Sequence, residues 1–303
     1  MVRSSTALRH NAFVYESDEE YVERSVGFLR EGLAANEGGL VADTRRGLAM
    51  MRYALGPDAD RVGFVDDGFI YTRPARTIAA YYGAFLGQLR RARSVRAVAH
   101  VQVGPTPRDW EEWTGYEAMT NLAYAHLPVW VWCAYDANGL PDPVLDGVWR
   151  THPEVIAGDW VESDAFEDPR ALVRSLTPAP KPLSELRSLP ATNDLEIFRE
   201  QLAAELAAQK VTESKALDAL IAGTEVAANA VRHGAGIQEV RVGRAGGRFV
   251  CEVVDRGSGF DDPLAGYLAP REGAGRGLWV ARRLTWRLEF FRSPQGFTAR
   301  VWL

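Results

Sequence analysis

The chain has 303 residues, of which 47% are hydrophobic and 25% charged, and its formal net charge is −5. This length corresponds to about two domains of ~100–200 residues each. The composition is ordinary for a globular protein, and the net charge argues against wholesale binding to nucleic-acid phosphates. Two cysteines exclude a disulfide framework and a four-cysteine zinc site. Because there is no apolar run of ~18 residues and no apolar leader, we expect a cytoplasmic protein without a membrane span.

The first half of the chain alternates short β-like runs with helical patterns. Strands are predicted at residues 12–15, 40–42, 62–65, 95–103 and 129–132. Between them apolar residues recur at helical spacing, and the first helix opens with a capping box of Ser17 and Glu20. Strands that alternate with helices usually pair in parallel, so this order predicts a mostly parallel α/β sandwich with both faces of its sheet covered.

The turn after the first strand lacks the features of a phosphate-binding loop. Residues 16–20 read Glu-Ser-Asp-Glu-Glu, and carboxylates would repel a phosphate where such a loop offers backbone N–H groups and a lysine. The stretch from residue 10 to 153 resembles the DcmR-type sensory domain of methanogens and methylotrophs. The segments that carry the resemblance are residues 10–20, 28–33, 116–121 and 133–136. It implies a degenerate RecA/KaiC-like fold and a role in signal reception.

Other polar residues of the first half form no site pattern in the sequence. His100, His126 and His152 lack metal-ligand spacing and are interpreted as structural. Glu117 and Asn121 share one helical face, but no further group there points to chemistry. A cluster of arginines near the end of a predicted helix is interpreted as complementing the helix dipole. Its members are Arg90, Arg91, Arg93 and Arg96.

A proline-rich stretch divides the chain. Residues 162–190 contain Pro169, Pro178, Pro180, Pro182 and Pro190, and close-spaced prolines favour extended backbone over helix. We therefore predict a first domain over residues 8–162, a linker over 163–184 and a second domain over 185–303.

The second domain has a clear order of predicted elements. A short strand at 186–189 is followed by a helix with apolar residues from Leu195 to Leu206. A second helix begins near Thr212, whose side chain can cap it, and ends at Gly234. Two strands, a helix through residues 280–284 and a closing hairpin about residues 294–296 complete the domain.

Two helix residues and one strand end carry the chemistry. Glu225 and Asn229 stack on one helix face, where a carboxylate and an amide oxygen suit a hard cation and an activated nucleophile. Asp255 ends a strand and can accept a hydrogen bond from an exocyclic amine. Gly257 and Gly259 after it let the backbone pass close to a flat ring.

A glycine-rich loop precedes the last helix. Gly273, Gly275 and Gly277 leave backbone N–H groups free to face phosphates, helped by the helix dipole. Together with the two preceding motifs, this loop resembles the N, G1 and G2 boxes of the GHKL ATP-binding fold, over residues 225–234, 255–259 and 275–278. Within that superfamily the motif sequence is most similar to that of bacterial anti-sigma factor serine kinases. The resemblance implies a two-layer α/β sandwich with helices on one face of an antiparallel sheet.

The resemblance also implies a role for each motif. Asn229 would hold the Mg²⁺ of Mg-ATP, and Glu225 would be the general base that takes a proton from a partner's serine. Asp255 would recognise adenine. The other residues implied to bind the nucleotide are Gly257, Gly259, Gly273, Gly275, Arg276, Gly277, Leu278 and Thr298. Phosphoryl transfer depends mostly on positioning and charge, so few catalytic side chains are expected.

These implications lead to a switch-protein hypothesis. The chain would be a signal-responsive anti-sigma factor and Mg-ATP-dependent serine kinase, with an RNA polymerase sigma factor and a STAS-type anti-anti-sigma protein as partners. The alternative is an ATP-binding module without kinase activity. A sensor histidine kinase is disfavoured, because no histidine lies between His152 and His233 to accept a phosphoryl group. The resemblance allows a homodimer, and direct DNA binding is not expected.

Overall fold

The computed structural model describes residues 7–70, 74–176, 180–268, 275–293 and 296–303. The chain divides into two compact units, Met1–Thr177 and Pro178–Leu303. The predicted α/β class is confirmed, since a mostly parallel sheet forms in the N-terminal unit and a separate antiparallel sheet in the C-terminal unit. Among the described residues, no helix has both the length and the apolar character needed to cross a membrane.

The N-terminal unit is built on a seven-stranded sheet. Its strands are β1 Arg9–Tyr15, β2 Gly38–Asp43, β3 Val62–Asp66, β4 Val95–His100, β5 Val129–Asp136, β6 Glu154–Ala157 and β7 Asp159–Glu162. They lie in the order β3-β2-β4-β5-β1-β6-β7, and all neighbours are parallel except β6 and β7. The first five strands were predicted from the sequence, and the two short edge strands were not.

Seven helices accompany this sheet in the described residues. They are α1 Asp18–Ala34, α2 Arg45–Leu55, α3 Asp67–Ile70, α4 Pro74–Leu89, α5 Pro107–Ala123, α6 Asp142–Thr151 and α7 Pro169–Leu176. The predicted N-cap of α1 is present, because the Ser17 hydroxyl accepts a hydrogen bond from the Glu20 N–H at 3.1 Å. Along a strand, side chains alternate between the two faces of the sheet. Phe13 and Trp132 therefore join the apolar core against α1, whereas His10 and Cys133 lie on the opposite face.

The segment predicted as a linker, residues 163–184, contains helix α7. Its Leu172 is fully buried, and the helix packs against α5 of the N-terminal unit. Proline does not prevent this helix, since Pro169 occupies its first position, where no N–H is needed. The preceding Asp168 caps it by accepting a hydrogen bond from the Ala171 N–H at 2.9 Å. An Asp-Pro pair is thus a helix start here, and the N-terminal unit extends past the predicted limit at residue 162.

Arg96 does not lie at a helix end as the sequence analysis supposed. Helix α4 stops at Leu89, and Arg96 is a buried residue of β4. Its guanidinium donates to Glu37 Oε2 at 2.6 Å and to Glu31 Oε2 at 3.0 Å. These bonds stabilise a cation that would otherwise be very costly to bury. Arg96 therefore ties β4 to the region around the end of α1.

The C-terminal unit is a two-layer sandwich. Its strands are β8 Arg187–Leu189, β9 Ile237–Ala245, β10 Arg248–Asp255, β11 Arg287–Ser293 and β12 Gly296–Trp302, and its helices are α8 Leu195–Ala208, α9 Glu213–His233 and α10 Gly277–Leu284. The sheet order is β11-β12-β10-β9-β8, with every neighbouring pair antiparallel. Thr212 precedes α9 as predicted, but its side chain forms no capping hydrogen bond.

One face of this antiparallel sheet packs against the helices. Phe249, Cys251 and Val253 alternate along β10 and join the core with residues of α8 and α9. The opposite face carries a buried charge, Glu252, which pairs with Arg300 at 2.5 Å and Arg241 at 2.7 Å. The helix-facing side of β10 ends at Asp255, which places that carboxyl between the sheet and the helices.

Candidate functional site

The first part of the site is the second half of helix α9. Glu225 and Asn229 lie one turn apart on its surface, and both are half-buried. Neither side chain has a hydrogen-bond or ion-pair partner in the part of the chain that the structure describes. Glu225 lies against the start of α10, since a Cβ at position 277 would collide with its Oε2. The two oxygens are thus held in place but remain open to a ligand.

Asp255 is the second part of the site. Its side chain is buried, and its Oδ1 accepts a hydrogen bond from the Gly257 N–H at 2.7 Å. Burial raises the pKa of this carboxyl above its usual 3.8, and the bond from Gly257 opposes that change. The end of α9 fixes the carboxyl from the other side, because a Cβ at Gly234 would overlap it. Its Oδ2 has no donor among the described residues and can accept one from a ligand.

Gly257 and Gly259 are required for a reason different from the one predicted. A Cβ at position 257 would lie 2.8 Å from the Gly234 Cα, and the Arg256 N–H donates to the Gly234 carbonyl at 2.9 Å. Gly259 has a φ of +64°, and a Cβ there would overlap the Phe297 ring. Protein packing therefore already fills the space beside both glycines and requires them independently of any ligand.

Thr298 does not lie beside Asp255. The strand register pairs Thr298 with Val254 and with Phe291, whereas Asp255 pairs with Phe297. Because directly opposed residues share a face and successive residues alternate, Thr298 lies on the sheet face that points away from the helices. Phe297 therefore takes the position that faces the site, and the adenine contact of Thr298 stays a prediction.

Three aromatic rings form a wall next to Asp255. The Phe260 ring centroid lies 4.8 Å from that of Phe290 and 5.1 Å from that of Phe297, and Phe290 and Phe297 are stacked at 6.2 Å. Phe260 is 42% exposed, which is high for a phenylalanine. Sequence reasoning missed this wall. The available signal was strand alternation, since the β12 residue opposite Asp255 is aromatic.

The glycine-rich loop leads into α10. Gly275 and Arg276 are exposed, Gly277 and Leu278 are half-buried, and Gly273 lies outside the described residues. Among the described residues no side chain caps α10, because Arg276 at its N-cap makes no capping hydrogen bond. The N–H groups of its first turn therefore remain available to an anion.

Arg282 attaches the loop after Asp255 to α10. Its Nε donates to the Ala265 carbonyl at 2.5 Å, and its guanidinium lies 4.2 Å from the centre of the Tyr267 ring. Burial lowers the pKa of this guanidinium. The contacts fix the near part of the loop on the helix that begins beside Glu225.

These features together fit a Mg-nucleotide. A carboxylate and an amide oxygen are suitable groups for Mg²⁺ and its water ligands. The Asp255 carboxyl can accept from an amine, and the aromatic wall offers an apolar surface to a purine ring. The open first turn of α10 can receive phosphates. The predicted residues other than Thr298 and Gly273 are thus brought together by three adjoining segments.

The N-terminal unit contains a polar cluster that the sequence did not reveal. His10, Glu117, Cys133 and His152 are all buried, and their ligand-type atoms lie within 4.8 Å of one another. Burial and the neighbouring Glu117 raise the pKa of the Cys133 thiol well above its usual value. Burial lowers the pKa of His152 well below 6.5. The four residues are far apart in sequence, so no spacing rule could have identified them.

Comparison with protein families divides the chain in the same way. One family model, described as MEDS (MEthanogen/methylotroph, DcmR Sensory domain), matches residues 9–153. A second, described as histidine kinase-like ATPase domain, matches residues 189–302. The chain joins a MEDS domain to a histidine kinase-like ATPase domain. The ATPase domain is an ATP-binding, kinase-like regulatory module, and domains of this type commonly bind ATP with Mg²⁺.

The other comparisons add little. No curated protein matches the chain. Among matching solved structures is "The cytoplasmic domain of EssC", which is 19% identical and has a TM-score of 0.28. The match covers 57% of this chain and 33% of that one, so the chain spans about a third of its length. This likeness supports no argument about function.

Proposed function

We propose that this protein is a signal-responsive anti-sigma factor with Mg-ATP-dependent serine kinase activity. Its partners would be an RNA polymerase sigma factor and a STAS-type anti-anti-sigma protein, and the MEDS domain would receive the signal. The observation that supports kinase activity is the position of Glu225. It is one turn from Asn229, has no partner among the described residues, and lies against the start of α10.

The residues divide the task by their chemistry. Bound Mg-ATP supplies the phosphoryl group and the charge neutralisation that its transfer requires. Asn229 would hold the cation through its amide oxygen, and Asp255 with the aromatic wall would hold the base. Glu225 would accept the proton of the partner's serine hydroxyl as the serine oxygen bonds to the terminal phosphorus. The bond between that phosphorus and the bridging oxygen breaks, and ADP leaves.

The residues proposed for nucleotide binding and for proton transfer lie apart. Glu225 faces the first turn of α10, whereas Asp255 lies at the other end of the site, beside Gly234. A change at Glu225 that keeps its size should therefore affect transfer more than nucleotide affinity. A change at Asp255 should do the reverse.

The test is transfer of labelled phosphate from ATP to purified STAS-type proteins by the full chain. With the wild-type chain we expect label on a serine of one partner, and with Glu225→Gln we expect none. Wild type and Glu225→Gln should both bind a sigma factor in a nucleotide-dependent way. If no partner is labelled while ATP still changes complex formation, the kinase assignment fails and a nucleotide-gated binding module replaces it.

A further inference from the structure

The polar cluster of His10, Glu117, Cys133 and His152 is the strongest unexplained feature of the MEDS domain. Its members come from β1, α5, β5 and the residue that follows α6. Their exposures are 4%, 4%, 5% and 0%. Buried ionisable groups are rare unless they are paired or coordinate a metal. These four side chains therefore need partners that satisfy their charges and hydrogen-bonding capacity.

The distances within the cluster have the scale of a tetrahedral site. His10 Nε2 lies 3.2 Å from both Glu117 Oε2 and Cys133 Sγ. Glu117 Oε2 lies 3.6 Å from Cys133 Sγ and 3.8 Å from His152 Nε2. A tetrahedral ion with bonds of ~2.0–2.3 Å requires its ligands to be about 3.3–3.8 Å apart. Four of the six ligand pairs thus have close to tetrahedral spacing, and all six lie within 4.8 Å.

The hydrogen bonds of His152 direct its lone pair into the cluster. His152 Nδ1 lies 3.0 Å from the Val148 carbonyl, which can only accept, so Nδ1 carries the proton. In the neutral ring, Nε2 then has a lone pair. It is buried and has no hydrogen-bond partner. The histidine is thus held in the tautomer that a metal ligand needs.

His10 is oriented in the same way by Asn121. The Asn121 amide donates to the Glu117 and Thr151 carbonyls at 3.2 and 2.9 Å, which fixes its Oδ1 as the acceptor. That Oδ1 lies 3.1 Å from His10 Nδ1, so Nδ1 donates and Nε2 presents its lone pair. The Thr120 hydroxyl does not donate a hydrogen bond to Nε2, because its proton goes to the Glu117 carbonyl at 2.7 Å.

Acceptors therefore face one another at the centre of the cluster. Two imidazole lone pairs and a carboxylate meet there, and the Cys133 thiol has a single weak donor to offer. Glu117 Oε1 is also buried without a hydrogen-bond partner. Unpaired buried acceptors are costly, and a cation would satisfy all of them at once.

We propose that the MEDS domain binds one divalent zinc-type ion through His10, Glu117, Cys133 and His152. Nitrogen, sulfur and carboxylate ligands in a tetrahedron are the donor set that suits Zn²⁺. A thiolate and a carboxylate balance the charge of the ion, so the buried site is neutral. Four protein ligands leave no open position, which is typical of a structural or metal-sensing site and not of a catalytic one.

Access and support for the ion are present. A cavity of about 620 Å³ is lined by His10 and Asn121, together with Arg9, Asn11 and Glu154. It reaches the cluster at His10, the one of the four residues that lines it. Asn121 orients a ligand without binding the ion itself, and loss of such a group typically weakens metal affinity ~10–100-fold. Asn121 is therefore a positioning residue of the site.

The test uses the full chain after treatment with a chelator. Zinc titration against a chromophoric competitor should give one tight site per chain. Cobalt in place of zinc should give the intense visible bands of a tetrahedral ion and a thiolate-to-cobalt charge-transfer band. Cys133→Ala should lose the charge-transfer band. The protein's other buried cysteine, Cys251, lies in the ATPase domain, and Cys251→Ala should keep the charge-transfer band.

Further variants sharpen the result. Asn121→Ala should weaken zinc binding ~10–100-fold, whereas His100→Ala should not, since His100 contacts Tyr15 and Gln102 and no member of the cluster. A folded wild type that binds no zinc, or whose cobalt spectrum lacks the thiolate band, overturns the proposal. So does a Cys133→Ala protein with the wild-type spectrum. If Cys133→Ala fails to fold, the cobalt spectra of wild type and Cys251→Ala decide alone. Nucleotide binding is measured separately, because its candidate residues lie in the other unit.

Discussion

The two candidate sites of this protein differ in how far their polar side chains are buried and in whether those side chains contact one another. In the ATPase domain, Glu225 and Asn229 are half-buried, lack partners among the described residues, and lie near exposed Gly275 and Arg276. In the MEDS domain, all members of the polar cluster are buried and face one another. An open site can exchange a large, charged ligand rapidly. A closed one suits a small ion that remains bound, because its ligands must be desolvated together. This difference matches the two proposals, in which the ATPase domain exchanges a nucleotide and the MEDS domain holds one ion stably.

Glu225→Gln should have the largest effect, and it tests whether the open site is catalytic. Loss of a general base typically slows a reaction ~10²–10⁴-fold. The amide keeps the size of the side chain beside Gly277, so ATP affinity should stay within a few-fold. Phosphate transfer to the partner serine is the measurement. Glu213→Gln, an exposed change in the first turn of the same helix, should leave the rate unchanged. Equal rates in wild type and Glu225→Gln would remove Glu225 from the chemistry.

Leu172→Ala tests whether the MEDS domain includes α7. Removing a fully buried leucine costs about 2–5 kcal/mol of unfolding free energy, and we expect the loss in the unfolding transition of the N-terminal unit. Chemical denaturation followed by tryptophan fluorescence measures it. The same substitution at Leu217, which is 59% exposed, should cost about 0.5 kcal/mol or less. If the Leu172→Ala protein were as stable as wild type, α7 would have to be assigned to the linker.

Asp255→Asn tests the recognition half of the open site. The substitution keeps the shape of the side chain but removes the charge, and a hydrogen bond to a charged group contributes about 1.5–3 kcal/mol. We expect nucleotide affinity to fall more than tenfold, with or without Mg²⁺. Calorimetry with ADP measures it, and Asp218→Asn on α9 is the control. Unchanged affinity would contradict the placement of the base at Asp255.

Asn229→Ala should have the smallest effect, and it should depend on the cation. A methyl group cannot coordinate Mg²⁺. We therefore expect affinity for Mg-ATP to fall about tenfold, or ~1.4 kcal/mol. Affinity measured in a chelator should match that of wild type, which serves as the internal control. A loss of equal size in both conditions would show that Asn229 binds the nucleotide itself.

The comparison also explains which site could be predicted. The GHKL-like boxes are short, and each forms one local unit: a helix turn, a strand end or a loop before a helix. Local chemistry therefore placed Glu225, Asn229 and Asp255 correctly on their elements. The sheet face on which Thr298 lies could not be read from local sequence, because it depends on strand register and a shift of one residue reverses the face. The aromatic wall was missed for the same reason.

The sequence by itself determined five strands of the N-terminal sheet and their parallel class, the order of elements in the C-terminal unit, and the motifs that lie within one turn or loop. Periodicity and caps act over a few residues, so they can be read directly from the chain. Only the tertiary structure decided that Arg96 pairs in the core, that α7 packs on α5, and that His10, Glu117, Cys133 and His152 meet. Those outcomes depend on which strand lies beside which and on the face each residue takes, and these are set by packing of the whole unit and not by local sequence.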